Sequence, residues 1–187
     1  MAGIRVHFGD GAFAAVGDPD HVDLDGALVQ HHHALVVHAG AVHHIGIVGT
    51  GVQARMQLEL LKDVVDCRSC FIWGRDPQKV QGMIEDLRAT EAIQEWGLAI
   101  KAATDLGELV AECNLVVTTT SARKALIRAD QVRSGTHITS MGSDDHGKQE
   151  LEAALLAKAG RVVADSITQC VDHGECFHAV KNGMIEE

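Results

Sequence analysis

Two short segments hold residue types suited to a phosphorylated ligand. In the first, Ile45-Gly46-Ile47-Val48 runs directly into Gly49-Thr50-Gly51-Val52-Gln53-Ala54. A G-x-G-x-x-A run is a weak signal alone, because glycine is common in turns. It gains meaning after a strand and at the start of a helix. There Gly49 permits the tight turn, Gly51 lets the backbone approach a diphosphate, and Ala54 lets the helix pack closely on the sheet. The helix N-terminus adds free N–H groups and a partial positive charge. Against a plain strand–helix turn, this context favours binding of a dinucleotide.

The second segment is Trp73-Gly74-Arg75-Asp76, at the end of the next strand. A site for NAD normally places an acid there to accept hydrogen bonds from the adenosine ribose. Here that acid is replaced by Gly74, and a guanidinium follows. Arg75 suits a bidentate contact with a 2′-phosphate, with Lys79 as a second cation one turn on. NADP(H) is therefore favoured over NAD(H). The alternative keeps Arg75 as a solvated residue and gives the ribose to Asp76, one position late.

Other reactive residues are less telling. Cys67-Arg68-Ser69-Cys70 spells C-x-x-C, yet no second such pair answers it and Cys70 opens an apolar run, so a core role is expected. His31 and His33 would share one face of a strand, but no carboxylate or Cys stands at ligand spacing, so no metal site is expected there. His146, in a polar loop, reads as solvent-exposed.

The elements that must position these groups follow from hydrophobic patterning. Val52 to Val65 places Val52, Met56, Leu60 and Val64 four apart, on one helix face. Phe71-Ile72-Trp73 reads as a strand. Asp76-Pro77 then opens a helix carrying Val80, Met83, Ile84 and Leu87. Leu98–Ile100 is a third strand, and Thr104 is expected to cap the helix with Leu106, Leu109 and Val110. Strands follow at Leu115–Thr119 and His137–Met141, then a helix over Leu151–Ala159, a strand at Val162–Ala164, and helix through Ile167–Val180 interrupted at Gly174. Short buried strands alternating with helices predict an α/β fold. The expected form is a Rossmann-like, doubly wound, mostly parallel sheet with helices on both faces.

The 187 residues are 46% hydrophobic and 22% charged, as in a soluble globular protein. With a net charge of −10 and no basic stripe, nucleic acid and anionic membrane are not expected partners. No apolar run is long enough to span a bilayer or to act as a secretory signal, and the five cysteines form no even disulfide set. A cytoplasmic address is the expectation. Residues 1–44 differ from the rest: they hold eight of the twelve histidines, and Arg5 is their one Lys or Arg. They are read as an atypical His-rich segment, followed by a dinucleotide-binding domain with a helical extension over 45–187.

With these residues assembled, the sequence from about Ile45 to Ile185 resembles the ornithine cyclodeaminase/μ-crystallin family. The resemblance is carried by Ile45–Arg55, Trp73-Gly74-Arg75, Val116–Thr120, Gly135–Ile138, Met141-Gly142-Ser143-Asp144, Lys148-Gln149-Glu150-Leu151, and Asp165 through Gln169 to Gly174-Glu175. It implies hydride transfer between NAD(P) and the Cα of a small amino acid or cyclic imino acid. It also implies that Gly49, Gly51, Val52 and Gln53 hold the pyrophosphate, and that Gly74 and Arg75 flank the adenosine ribose. Thr118 and Thr120 would line the cofactor channel, with Met141 and Ser143 near the nicotinamide.

Asp144 matches the family's active-site aspartate. A carboxylate there could hold a substrate ammonium or orient water toward an imine. The alternative is an Asp that opens the turn Ser143-Asp144-Asp145-His146-Gly147 through local backbone bonds.

The resemblance further implies a long first half that forms a dimer and grips the substrate carboxylate, which residues 1–44 do not match. Two functions stand: an NAD(P)-dependent cyclodeaminase-like oxidoreductase, expected as a homo-oligomer, or a catalytically incompetent NADP(H)-binding module lacking the substrate domain.

Overall fold

A computed structural model describes residues 4–7, 41–143, 145–164 and 166–186. Its main sheet has seven strands. They are β1 (Ile4–His7), β2 (Ile45–Val48), β3 (Ser69–Trp73), β4 (Ala99–Ala102), β5 (Leu115–Thr118), β7 (His137–Ser140) and β9 (Arg161–Ala164). In space they run β4-β3-β2-β5-β7-β1-β9. β4, β3, β2, β5 and β7 are parallel neighbours. β1 lies antiparallel between β7 and β9, so β9 points the same way as the parallel strands. β6 (Arg123–Ile127) and β8 (Gln149–Leu151) form a separate parallel pair.

The helices are α1 (Val52–Leu61), α2 (Pro77–Arg88), α3 (Glu91–Trp96), α4 (Leu106–Glu112), α5 (Ala153–Lys158), α6 (Ile167–Asp172) and α7 (Glu175–Lys181). Two cores, one on each face of the sheet, account for the doubly wound form. On one, Ile45, Ile47, Ile72, Leu115 and Val117 meet Ala54, Leu58 and Leu61 of α1 and Val80, Met83, Ile84 and Leu87 of α2. On the other, Ile4, Val6, Val116 and Ile138 meet Leu109 and Val110 of α4, together with α5, Cys170 and Cys176. Strands buried on both faces read as continuous apolar runs, which is why β2 and β5 are Ile-Gly-Ile-Val and Leu-Val-Val-Thr. Gly46 is required by packing: a Cβ there would lie 2.5 Å from Leu109 Cδ2 and 3.1 Å from Cys113 Sγ.

The α/β class and mostly parallel sheet match the sequence reading, which contains neither β6 nor β1, the latter bringing Ile4–His7 into the main sheet, and which differs at four further places. α1 buries Ala54, Gln57, Leu58 and Leu61, whereas Val52 is 71% exposed. The rotation puts small Ala54 against the sheet, where a larger residue would hold the helix off. α4 is capped by the Asp105 carboxylate, which accepts from Glu108 N, and not by Thr104. The stretch at Leu151 pairs with β6 as β8, and its helix begins at Ala153. α3 is an additional helix, closed by Gly97 at φ 66°. Cys67 and Cys70 are both buried, the latter with its thiol pushed well up by burial, as suits core residues. His31 and His33 lie outside the described residues. Among the described residues no helix is long and apolar enough to cross a membrane.

Candidate cofactor site

In the order β4-β3-β2-β5-β7 all strands run parallel, but the chain adds β3 and β4 on one side of β2 and then β5 and β7 on the other. Open α/β sheets place ligands at that switch, outside the carboxyl ends of the strands. Val48, Trp73, Thr118 and Ser140 end their strands there. The turn after Val48 is built tightly. Gly49 has φ 127°, a conformation that L side chains rarely adopt, and its N–H donates to Trp73 O at 2.8 Å. A Cβ at Gly49 would also lie 2.5 Å from Thr119 Oγ1.

Gly51 is different. It is exposed, its φ of −84° suits any residue, and a Cβ there would meet nothing within 4 Å. The space beside it is open. Gly51 is the N-cap of α1 and supplies no side-chain cap, and α1 has no acid in its first turn. By contrast α2 and α4 are capped by Asp76 and Asp105. Among the described residues no side chain caps the first N–H groups of α1, an arrangement that suits an anion. A nicotinamide dinucleotide's diphosphate suits this cradle in charge, and no atom crowds its approach at Gly51.

Gly74 joins the two ends of the site. Its missing side chain admits Thr50, whose Cγ2 would be 2.8 Å from a Cβ at that position. Arg75 follows, exposed, and among the described residues no hydrogen bond or ion pair of its side chain is present. Asp76 caps α2 with its side chain, whose Oδ1 accepts from Gln78 N at 3.0 Å and Lys79 N at 3.4 Å. Lys79 is exposed on the first turn of that helix. α1 and α2 are tied across this edge by Arg55 Nη2 and Asp86 Oδ2 at 2.7 Å.

The ends of β5 and β7 rest on two buried acids to which the sequence reading assigns no role. Glu150 is 0% exposed. Its carboxylate accepts from Thr118 Oγ1 at 2.7 Å, Gly142 N at 2.8 Å, Ser140 Oγ at 3.1 Å and Thr120 N at 2.5 Å. Glu175 is 2% exposed and accepts from Ser143 Oγ at 2.5 Å, Glu150 N at 2.6 Å, Leu151 N at 3.0 Å and Ser140 Oγ at 3.3 Å. Burial pushes the Glu175 carboxyl up to about 7, against the pull of the donors around it.

The hydroxyls of Thr118 and Ser143 thus face the buried acids, and both residues are buried. Thr120 and Met141 are half-buried at the same edge. Gly142 has no room for a side chain, because a Cβ would clash with Thr120 O and with Glu150 Cδ. Asp144 lies outside the described residues. The signal that could have revealed the acids is a Glu directly followed by an apolar residue, in Glu150-Leu151 and Glu175-Cys176.

The sequence profile of the ornithine cyclodeaminase/mu-crystallin family matches residues 35–186. The chain belongs to that family. It is 41% identical over 139 residues to the uncharacterized cyclodeaminase y4tK of Sinorhizobium fredii, covering 74% of this chain and 40% of that one. It is 34% identical over 143 residues to the iminosuccinate reductase of Paracoccus denitrificans, covering 76% and 42%. The structure of that reductase in complex with NAD+ superposes with a TM-score of 0.64 at 29% identity, over 78% of this chain and 42% of that chain. An archaeal alanine dehydrogenase dimer with bound NAD superposes at 0.66 and 32% identity, over 77% and 42%. These family members bind a nicotinamide dinucleotide, and the present chain spans about two-fifths of their length.

Proposed function

We propose that this chain is the cofactor-binding part of an NAD(P)-dependent oxidoreductase of the cyclodeaminase and imino-acid reductase type, acting on a small amino acid or cyclic imino acid. The observation that carries the reading is the uncapped N-terminus of α1, open over Gly51 at the switch point of the sheet. Main-chain N–H groups of Gly51, Val52 and Gln53 hold the diphosphate. Gly49 shapes the turn, and Gly74 keeps the end of β3 close to it. When bound, the nicotinamide supplies or accepts hydride at the substrate Cα.

Arg75 supports a preference for NADP(H). It is exposed and unengaged among the described residues, while Asp76 turns its Oδ1 to the cap of α2. Thr118, Thr120, Met141 and Ser143 form the wall beside the nicotinamide, Thr118 and Ser143 through backbone held by Glu150 and Glu175. Asp144 is assigned the substrate side, as the carboxylate that holds an ammonium or orients a water. The substrate is a small amino or imino acid, and the working form is a homo-oligomer in the cytoplasm.

A second reading has its own support. The part of the relatives that this chain matches, 40% of the cyclodeaminase and 42% of the reductase, is the part that superposes on the NAD-bound reductase, as a cofactor-binding module requires. Titration with NADPH and NADH, followed by turnover assays with ornithine and a cyclic imine, separates the two. Saturable NADPH binding with turnover that Asp144→Asn abolishes supports the enzyme. Binding with no turnover supports the module, and no binding at all defeats both.

A further inference from the structure

Outside the cofactor cleft, one cluster of side chains has ligand chemistry. His146 stands in the loop between β7 and β8, and Asp172 and His173 stand at the end of α6. Both imidazoles approach one carboxylate oxygen. His173 Nδ1 is 3.3 Å from Asp172 Oδ2, and His146 Nε2 is 3.9 Å from the same atom. One donor atom from each residue lies within 4.8 Å of the other two. Ligand atoms around a tetrahedral zinc ion, with bonds near 2.0–2.1 Å, sit about 3.3 Å apart. The observed spacing therefore needs only small rotations of exposed side chains.

We propose that His146, Asp172 and His173 bind a divalent transition-metal ion of the zinc class, which clamps the loop after β7 to the end of α6. Two imidazoles and one carboxylate suit zinc, nickel or copper better than the oxygen-seeking magnesium and calcium. Among the described residues the ion-pair partners of Asp172 are these two histidines, so no Lys or Arg already neutralises it. His146 and Asp172 are exposed and His173 is half-buried, which leaves the remaining coordination positions to water. Three protein ligands with open positions make an exchangeable site, unlike a closed four-ligand structural centre.

The ion would act where two segments already touch. His173 precedes Gly174, whose backbone packs so closely on the loop that a Cβ would lie 2.7 Å from Ser143 O. His146 lies three residues beyond Ser143, on the same loop. Bridging them ties the loop to the segment that presents Glu175 to Ser143.

The test uses untagged, metal-stripped protein, with His31, His32 and His33 changed to Ala to remove the competing donors of the first segment. Added Co2+ should give a visible ligand-field band at one equivalent. Zn2+, competed against a chromophoric chelator, should displace it and raise the melting temperature. His146→Ala, Asp172→Asn and His173→Ala should each weaken Zn2+ by at least the ~10–100-fold typical of losing a supporting group alone. The proposal fails if the background protein takes up no ion, or if His146→Ala and Asp172→Asn leave affinity unchanged. Because His146 is an exposed loop residue, its variant stays folded and keeps the test decisive. No arm contains nucleotide, so the result is independent of cofactor binding.

Discussion

The carboxylate of Glu175 accepts the main-chain N–H of Glu150 at 2.6 Å, so one buried acid holds the backbone from which the other projects. Glu150 in turn accepts from Thr118, Thr120, Ser140 and Gly142. The ends of β5 and β7, which flank the cleft, are thereby fixed from beneath by a helix and a strand that lie later in the chain. Charge-assisted bonds of this kind are worth roughly 1.5–3 kcal/mol each, and most of that is lost if one partner is removed and the other stays buried. The network gives the cofactor edge a rigid floor without using any exposed side chain.

That floor should titrate. The Glu175 carboxyl is raised from 4.5 in an unfolded chain to about 7 in the folded one, by burial. A raised folded pKa means that the folded state binds the proton more tightly. Its stabilising contribution is full below about pH 4.5 and is lost as pH rises through about 7. The loss is on the order of 3 kcal/mol. Denaturant melts in chelator-containing buffer should show stability falling from about pH 5 to about pH 8, with the slope removed in Glu175→Gln. An unchanged slope in the variant would assign the titration elsewhere.

Thr118→Val keeps shape and removes the hydroxyl that donates to Glu150 at 2.7 Å. Leaving one bond of a buried carboxylate unmade should cost about 1–3 kcal/mol. NADPH affinity should stay within about twofold, because the wall proposed at this position is backbone. A variant of unaltered stability but poor cofactor binding would mean that the hydroxyl faces the ligand.

Much of this architecture is legible in the sequence, for identifiable reasons. β2 and β5 are apolar on both faces, and the α2 spacing of Val80, Met83, Ile84 and Leu87 corresponds to its buried side. Gly49 and Gly51 carry local information too. α1 is harder to read because its period admits two apolar stripes, and the smaller, with Ala54, is the one that fits against the sheet. Glu150 and Glu175 are unreadable as a pair. Their partnership spans 25 residues and depends on burial, and a Glu in a sequence ordinarily signals a solvated surface.

The two turn glycines should separate stability from binding. Gly49→Ala places a Cβ at φ 127° and against Thr119, so it should lower stability by about 1–3 kcal/mol. Gly51→Val meets no neighbour and has an ordinary φ, so its cost should be limited to the ~0.5–1 kcal/mol of placing Val at an N-cap. Its side chain would occupy the space left for a diphosphate, and NADPH should bind at least about tenfold more weakly, a loss of ~1.4 kcal/mol or more. Thermal melts and fluorescence titration measure both. Undiminished binding by Gly51→Val would remove α1 from the cofactor site.

The proposed preference for NADP(H) rests on Arg75. NADP(H) differs from NAD(H) only in a 2′-phosphate, and a guanidinium gains from that group through charge-assisted, forked hydrogen bonds. Arg75 is exposed and its neighbour Asp76 is held as the cap of α2, so neither residue must be rearranged for the phosphate to dock. Arg75→Ala should weaken NADPH by roughly tenfold or more, consistent with ~1.5–3 kcal/mol for a charged hydrogen bond, and NADH by less than about twofold. The loss should shrink at high salt, as a surface charge contact is screened. Equal losses for NADPH and NADH would instead place Arg75 near a part common to both, and the preference would then have to come from Lys79.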